Sequence, residues 1–118
     1  MEENRYERHF LLDGFGRDGQ KKLSEAKVLI VGVGGLGSPV AMYLASAGIG
    51  KIGLIDADVV DVTNLQRQII HSESSVGVDK VVSAKSRIAE LNSETEVITY
   101  NFFFGVNNAE SIAAEYDF

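Results

Sequence analysis

The sequence predicts an α/β fold: a Rossmann-like, doubly wound parallel sheet preceded by N-terminal helices. Short β-branched runs alternate with segments of helical periodicity, which is the pattern of parallel strands joined by crossover helices. The first run is followed directly by the glycine-rich stretch VGVGGLGS, residues 31–38, which opens into a helix-like segment. Together these observations predict a phosphate-binding turn after the first strand.

The elements follow in chain order. Residues 1–26 are interpreted as an N-terminal helical arm, with helices expected at 4–12 and 19–26, and residues 27–118 as a partial nucleotide-binding domain. Within that domain the continuous apolar runs predict buried strands, and apolar positions at helical spacing predict the intervening helices. The strands are expected at 27–32, 51–56 and 96–101, and the helices at 36–47, 78–91 and 107–116.

The sheet is expected to be truncated before its fourth strand. The chain reaches Tyr116, Asp117 and Phe118 at the point where the alternation would place another strand. This ending is typical of a fragment or of an isolated domain.

The composition excludes several functional classes. The 118 residues are 45% hydrophobic and 24% charged, as in soluble globular domains, and they contain no apolar run of about 18 residues that could cross a membrane. The charged N-terminus lacks a signal-peptide core, so a cytoplasmic location is expected. There is no cysteine, which excludes disulfides and thiolate chemistry. The net charge of −6 argues against binding to nucleic acid or to an anionic membrane.

The glycine loop fits the pattern G-x-G-x-x-G. Gly32 permits the tight turn, Gly34 lets a phosphate approach the backbone, and Gly37 allows the helix to pack against the strand. The N-terminus of that helix offers free N–H groups to an anion. Asp56, at the end of the second strand, is suited to accept ribose hydroxyls. This pattern fits both NAD and ATP, and a tight turn without a ligand is the lesser alternative.

Positive side chains separate the two nucleotides. A triphosphate carries about two more charges than the bridging phosphates of a dinucleotide, and these call for positioned Arg or Lys. Arg67 stands a short loop beyond the second strand, with Asn64 and Gln66 as neutral donors. Lys80 falls in the first turn of a predicted helix, where a cation is disfavoured unless an anion is bound. A solvated surface lysine remains the equal alternative.

Other polar residues are expected to be structural. Arg5 and Arg8 are three residues apart and share one face of the first helix, which by itself favours a solvated basic face. His9 and His71 have no partner at ligand or triad spacing and are interpreted as ordinary polar residues.

The acidic cluster after the second strand is not a calcium loop. Asp56, Asp58 and Asp61 resemble the start of an EF-hand. The sixth position of such a loop requires glycine but holds Asp61, and the twelfth requires glutamate but holds Arg67. No metal site is predicted from these residues.

Five stretches carry a family resemblance. They are RYERHF, FGRDGQKKL, VLIVGVGGLGSPVAMYLASAGIGKIGLIDAD, TNLQRQ and GVDK, at residues 5–10, 15–23, 28–58, 63–68 and 77–80. In this combination the chain resembles the N-terminal part of the E1-like ThiF/MoeB/HesA adenylyltransferases, relatives of the ubiquitin-activating enzymes. The resemblance covers nearly the whole chain, and the combination is highly specific although each piece alone is weak.

The resemblance implies an activity. Such enzymes bind Mg-ATP, adenylate the C-terminal glycine of a ubiquitin-like sulfur-carrier protein and release pyrophosphate. The acyl-adenylate is then converted to a thiocarboxylate for thiamin or molybdopterin synthesis. A homodimer is implied, in which Arg8 reaches the nucleotide of the other subunit.

The resemblance also implies roles for particular residues. The glycine loop lies against the nucleotide, Asp56 accepts the ribose hydroxyls, and Lys80 contacts phosphate. The catalytic group is Arg67, Lys80, Arg8 and Asn64. The nucleotide site as a whole comprises Gly32, Gly34, Gly35, Gly37, Asp56, Asp58, Thr63, Asn64, Leu65, Gln66, Arg67 and Lys80.

Parts of the family pattern are not found in these 118 residues. They are the D-x-x-D-N stretch whose aspartate holds Mg²⁺, the paired C-x-x-C motif that binds Zn²⁺, and the surface that docks the carrier protein. Little or no adenylation by this chain alone is therefore expected. Two alternatives stay open: an NAD-dependent oxidoreductase, which shares the loop and Asp56 but leaves Arg67 and Lys80 unused, and a catalytically silent domain used for dimerisation.

Overall fold

Three short strands form a parallel sheet at the centre of the molecule. The computed structural model describes residues 3–118, and its strands are β1 (Lys27–Val31), β2 (Lys51–Ile55) and β3 (Glu96–Tyr100), in the order β1-β2-β3. The register pairs the first residues of all three strands, so the strands also end at a common edge. The predicted α/β class and parallel sheet are confirmed, and each strand ends one residue before its predicted end.

Five helices surround the sheet in the described part of the chain. They are α1 (Glu7–Phe10), α2 (Gly16–Glu25), α3 (Gly37–Ala47), α4 (Lys80–Leu91) and α5 (Ala109–Ala113). A 3₁₀ turn at Glu3–Tyr6 precedes α1, so the single helix predicted over 4–12 is wrong in detail. Among residues 3–118 none of the helices has the length and hydropathy needed to span a bilayer.

Two helix starts differ from their predicted positions for identifiable reasons. α2 begins at Gly16, three residues early, and Gly19 lies within it because the ring of Phe15 occupies the space that a Cβ at position 19 would need. α4 begins at Lys80 and not near 78, because Asp79 has a non-helical ψ of 135° and forms an isolated bridge with Val59.

The last helix is also shorter than predicted. The expected helix over 107–116 is reduced to α5. Asn108 closes the loop before it, since its Oδ1 accepts from the Gly105 N–H at 2.9 Å and its Nδ2 donates to the Phe103 carbonyl at 3.0 Å. The chain beyond α5 leaves the helix to meet the sheet.

α3 and α4 cover one face of the sheet and form the main core with it. The sheet and the two helices contribute to it the buried residues Ile30, Ile52, Leu54, Val97, Ala41, Ala45, Val81, Ala84 and Ile88. The predicted apolar face of α4 is therefore confirmed. α3, predicted to be packed nearly all round, is covered on one side only, and Leu36, Val40 and Tyr43 near its outer side are exposed.

The C-terminal residues lie on the other face and along the free side of β1. The hydroxyl of Tyr116 is 2.9 Å from that of Tyr100, and its ring covers Gly53. The Asp117 N–H donates to the Lys27 carbonyl at 2.8 Å, and the Phe118 carbonyl accepts from the Leu29 N–H at 2.9 Å. Alternate residues of a strand form hydrogen bonds to opposite sides. The bonds of Lys27 and Leu29 to the C-terminal residues therefore lie on the edge of β1 that faces away from β2. A doubly wound sheet continues at that edge.

Candidate functional site

The glycine loop folds tightly because two of its positions accept only glycine. Gly32 has φ of +90°, in the left-handed region that L side chains rarely adopt, and its N–H donates to the Ile55 carbonyl at 2.8 Å. A Cβ at Gly37 would overlap the Gly32 carbonyl oxygen. The start of α3 is thereby brought against the end of β1, and its free N–H groups face the edge where the strands end.

Asp56 joins the end of β2 to this loop. Its Oδ2 accepts from the Val33 N–H at 2.8 Å, and its Oδ1 accepts from the Asp58 N–H at 2.8 Å. Each carboxylate oxygen has a further acceptor direction, and the side chain is only half-buried. The carboxylate is therefore held at the strand edge with capacity to accept two hydroxyl groups, which fits a ribose.

A cavity of about 260 Å³ opens beside Asp56. It lies at the carboxyl ends of the strands, the position where open α/β sheets bind ligands. Its lining consists of Val31, Gly32, Ile55, Asp56, Ala57, Asp58, Phe102, Phe103 and Phe104. The three phenylalanines were not predicted as site residues. Their signal in the sequence is an aromatic run directly after the third strand, at the edge where ligands are bound.

The segment after β2 is a structured turn. Asp61 caps a 3₁₀ turn at Val62–Asn64: its Oδ1 accepts from the backbone N–H and the hydroxyl of Thr63, and Asn64 Oδ1 accepts from the Asp61 N–H. These two bonds from Thr63 lower the pKa of the exposed Asp61 carboxyl. The side chains of Thr63 and Asn64, both predicted site residues, thus also build the turn.

Arg67 reaches back from this turn to the glycine loop. Its side-chain carbons lie 3.7 Å and 3.8 Å from the position that a Cβ on Gly35 would occupy. Its Nη1 donates to the Thr63 carbonyl at 3.3 Å, and the residue is exposed. Leu65 is half-buried, and the exposed Gln66 bonds only weakly to Thr63, at 3.5 Å. The structure therefore brings Arg67 to the loop, whereas Gln66 lies along its own turn.

Lys80 is not a solvated surface lysine. It is the first residue of α4 and is only 7% exposed. Its Nζ lies 3.9 Å from Asp58 Oδ2, and its N–H donates to the Asp58 carbonyl at 2.9 Å. Asp58 lines the cavity, so a largely desolvated cation stands beside the cavity wall. Such burial is costly for an ammonium group unless negative charge is close.

His71 is buried below the glycine loop, although the sequence suggested only an ordinary polar residue. Its Nε2 is 3.0 Å from the Val33 carbonyl and its Nδ1 is 2.7 Å from Ser83 Oγ. A carbonyl only accepts, so Nε2 donates and Nδ1 accepts from the hydroxyl. Burial lowers the pKa of the imidazole, and Lys80 adds to this, while the Val33 bond and the Asp56 charge oppose it. No spacing in the sequence indicates this role.

Arg8 is not brought to the cavity of its own chain. The arm is bound to the far ends of the helices: Arg5 Nη1 donates to the Leu91 carbonyl at 2.8 Å, and Gln20 Nε2 donates to the Ala47 carbonyl at 2.8 Å. α3 has 11 residues and so is about 16 Å long, with the glycine loop at its other end. Arg5 and Arg8 are both exposed, as the predicted solvated face requires, and Arg5 in addition binds the end of α4. His9 bonds to Gln20 within the arm, at 2.6 Å.

A glycine turn, an anchored carboxylate after β2 and a cavity at the strand ends define the class of Rossmann-like nucleotide-fold domains. Within that class the model of the ThiF family matches residues 6–118. This chain therefore belongs to the ThiF family.

Named relatives carry adenylyltransferase descriptions. The chain is 50% identical over 113 residues to adenylyltransferase and sulfurtransferase MOCS3-1 of Zea mays, covering 96% of this chain and 24% of the relative. It is 45% identical over 113 residues to the probable adenylyltransferase/sulfurtransferase MoeZ of Mycobacterium tuberculosis, covering 96% and 29%. The chain thus spans about a quarter of the length of these relatives.

Solved structures also resemble the chain along nearly its whole length. The E. coli tRNA N6-threonylcarbamoyladenosine dehydratase TcdA, in complex with ATP, superposes with a TM-score of 0.88 at 35% identity, over 97% of this chain and 46% of that one. E. coli MccB with AMPCPP and MccA gives a TM-score of 0.82 at 36% identity, over 94% and 35%. Both of these neighbours were therefore solved with an adenine nucleotide or its analogue.

Proposed function

We propose that this chain is the ATP-binding part of an E1-like adenylyltransferase that activates the C-terminal glycine of a ubiquitin-like sulfur-carrier protein. The observation that carries the proposal is the buried ammonium group of Lys80 beside the cavity, 3.9 Å from its Asp58 partner. The phosphate groups of a nucleotide would add negative charge beside this cation, whose partner Asp58 is itself exposed. The adenylyltransferase descriptions of MOCS3-1 and MoeZ support the same reaction.

The nucleoside end of ATP fits the observed geometry. The ribose hydroxyls would donate to the two oxygens of Asp56, which already hold the Val33 and Asp58 N–H groups. The phosphates would then follow the glycine loop to the N-terminus of α3, where backbone N–H groups and the helix dipole favour an anion. Gly34 and Gly35 would let the phosphates approach the backbone closely.

The reaction requires positioning and charge neutralisation, and no protein nucleophile. A carboxylate oxygen of the carrier attacks the α-phosphorus of ATP, a new P–O bond forms, and the bond to the β-phosphate breaks as pyrophosphate leaves. Negative charge shifts onto the leaving pyrophosphate, so cations placed beside it stabilise the transition state. Arg67 and Lys80 are proposed for this role, with Asn64 as a neutral donor.

Two contributions to the site are proposed to come from outside the chain's own fold. Arg8 lies at the far end of the helices, and in a homodimer it would reach the nucleotide bound by the other subunit. Bound Mg²⁺ would supply positive charge that favours the departure of pyrophosphate. The family aspartate proposed to hold Mg²⁺ belongs to a D-x-x-D-N stretch that these 118 residues do not contain. We therefore expect little or no adenylation from them alone.

The two alternatives lead to different binding behaviour. An NAD-dependent oxidoreductase would use the loop and Asp56 but would give a buried Lys80 no phosphate to bind. A silent dimerisation domain would bind no nucleotide. Calorimetry with Mg-ATP and with NADH separates them, since tighter binding of NADH supports the first alternative and no binding of either supports the second.

A matched pair of arginine variants tests the role of Arg67. Arg67→Ala is expected to weaken ATP binding about tenfold or more, the effect of losing a charge-assisted phosphate contact. Arg87→Ala is the control, because Arg87 lies on α4 and pairs with Glu90 at 3.9 Å, away from the loop. In the complete enzyme, ATP–pyrophosphate exchange with a carrier ending in Gly-Gly should fall with the first variant only. Full exchange after Arg67→Ala would contradict the proposal.

A further inference from the structure

His71 is a buried titratable group that the proposed reaction does not use. It is 7% exposed, and both of its ring nitrogens are bonded. It lies between α4, through Ser83, and the glycine loop, through Val33. Buried polar groups are generally hydrogen-bonded, so the two bonds satisfy the ring, and the bond to Val33 in addition restrains the backbone of the glycine loop.

We infer that His71 is a positioning residue that fixes the orientation of the Val33–Gly34 peptide so that its N–H faces the nucleotide. The inference deepens the proposed function and rests on it for the identity of the ligand. The bond from His71 Nε2 to the Val33 carbonyl determines the orientation of this peptide.

The direction of the Gly34 N–H follows from the geometry of a trans peptide. The carbonyl of Val33 and the N–H of Gly34 belong to one planar unit and point in opposite directions. His71 holds that carbonyl at 3.0 Å from a buried ring, towards the interior. The Gly34 N–H is therefore directed away from His71, to the side on which a phosphate would approach the loop.

The loop needs such a restraint because of its own composition. Glycines occupy positions 32, 34 and 35, and glycine adopts many backbone conformations with little preference. A flipped peptide would present a carbonyl oxygen to the phosphates and would repel them. The N–H of Val33 is already held by Asp56 at 2.8 Å, so His71 completes the restraint on the other side of the same residue.

The Val33 carbonyl determines which ring nitrogen carries the proton, because a carbonyl can only accept and Nε2 must therefore donate to it. The Ser83 hydroxyl, 2.7 Å from Nδ1, then donates to the unprotonated Nδ1 and supports the same tautomer. Burial favours the neutral ring, and the nearby Lys80 charge disfavours a second proton, while Asp56 acts in the opposite direction. The neutral Nε2–H tautomer is the form that this arrangement selects.

Two amide substitutions separate the two bonds of His71. In His71→Gln the amide nitrogen reaches the place of Nε2 and can still donate to the Val33 carbonyl. In His71→Asn the shorter amide reaches only the place of Nδ1 and can replace only the bond to Ser83. His9→Asn is the control, because the bond of His9 to Gln20 lies in the arm.

The first measurement is the dissociation constant for Mg-ATP by calorimetry on the full chain, with melting temperatures recorded for each variant. We expect His71→Asn to weaken binding about tenfold, the size of one lost hydrogen bond at this site. His71→Gln and the control should remain within about threefold of wild type. Equal weakening by both His71 variants, or wild-type binding by His71→Asn, would overturn the inference.

The second measurement does not depend on ATP. Amide hydrogen exchange of Val33 and Gly34, followed by NMR without nucleotide, should be faster in His71→Asn and unchanged in His71→Gln. Failure of the wild-type chain to bind ATP would count against the proposed function, and the exchange rates would still decide the role of His71. Unchanged exchange in His71→Asn would refute that role even if the protein binds ATP.

Discussion

Gly37 lies directly against the carbonyl oxygen of Gly32, at a separation where no Cβ can be placed. The contact joins the first turn of α3 to the residue that follows β1. Two glycines five positions apart thus fix how the crossover helix leaves the strand.

Gly37→Ala should destabilise the fold. The added methyl group would collide with backbone atoms, which cannot rotate away, so the start of α3 must shift. Overpacking of this kind costs about 1–3 kcal/mol, and we expect ATP binding to fall with it. Chemical denaturation gives the free energy of unfolding. Gly105→Ala is the control, because a Cβ there meets no atom within 4 Å. A Gly37→Ala protein as stable as the control would contradict the packing argument.

Gly34→Ala should separate binding from stability. A Cβ at position 34 would meet only the amide nitrogen of Gln68, at 3.6 Å, an ordinary contact. We therefore expect the free energy of unfolding to change by less than about 1 kcal/mol. The methyl group would nevertheless stand where a phosphate should approach the backbone. ATP affinity is expected to fall about tenfold or more by calorimetry, and unchanged affinity would show that phosphate does not bind at this loop.

Lys80→Met should weaken ATP binding without lowering the stability of the nucleotide-free protein. The ammonium group is largely desolvated, and its acidic partner Asp58, 3.9 Å away, is exposed, so removing the ammonium group relieves a cost of burial. We expect equal or higher melting temperature, and ATP affinity reduced about tenfold or more. Lys85→Met, at an exposed position of α4, should change neither quantity. A stable variant with full affinity would exclude Lys80 from the phosphate site.

The stability of the protein should depend on the neutral state of His71. Its pKa in the folded state is lowered, chiefly by burial, from an ordinary value of 6.5. The unfolded chain therefore takes up the proton first as the pH falls. The stabilising contribution is complete above pH 6.5 and is lost progressively from there towards the lower, folded pKa.

Thermal unfolding of wild type and His71→Gln tests this dependence. Glutamine does not titrate, so the difference in melting temperature between the two proteins isolates the histidine. Wild type should lose more stability than the variant between about pH 7.5 and about pH 5.5. Parallel changes in the two proteins would contradict a neutral, buried His71.

The fold could be predicted because its signals are local. Each strand is a continuous apolar run, and the glycine loop joins two elements within a few residues. The helix starts were less accurate, because tertiary contacts decide them. The ring of Phe15 lies over Gly19, and α2 continues through this glycine. The bridge between Val59 and Asp79 makes α4 begin later than predicted.

The positions of some residues of the candidate site could be predicted for the same reason. Asp56 could be assigned because it comes directly after the second strand, and Arg67 could be assigned because it lies a short loop beyond that strand. His71 could not be assigned, because its partner Val33 is 38 residues away. The end of α4 is bound by Arg5 across 86 residues, and no periodicity in either segment indicates such a contact.

The hydrogen bonds of the arm bear on how the polypeptide could be shortened for laboratory work. A version starting at Lys27 would lack Tyr6, whose hydroxyl accepts from the buried Asn92 amide at 2.8 Å. It would also lack Gln20 and Arg5, which bond to the last turns of α3 and α4. Loss of these hydrogen bonds would favour fraying of both helix ends. A deletion series should therefore retain all residues from Arg5 onward, and the predicted domain boundary at residue 26 is a poor site for truncation.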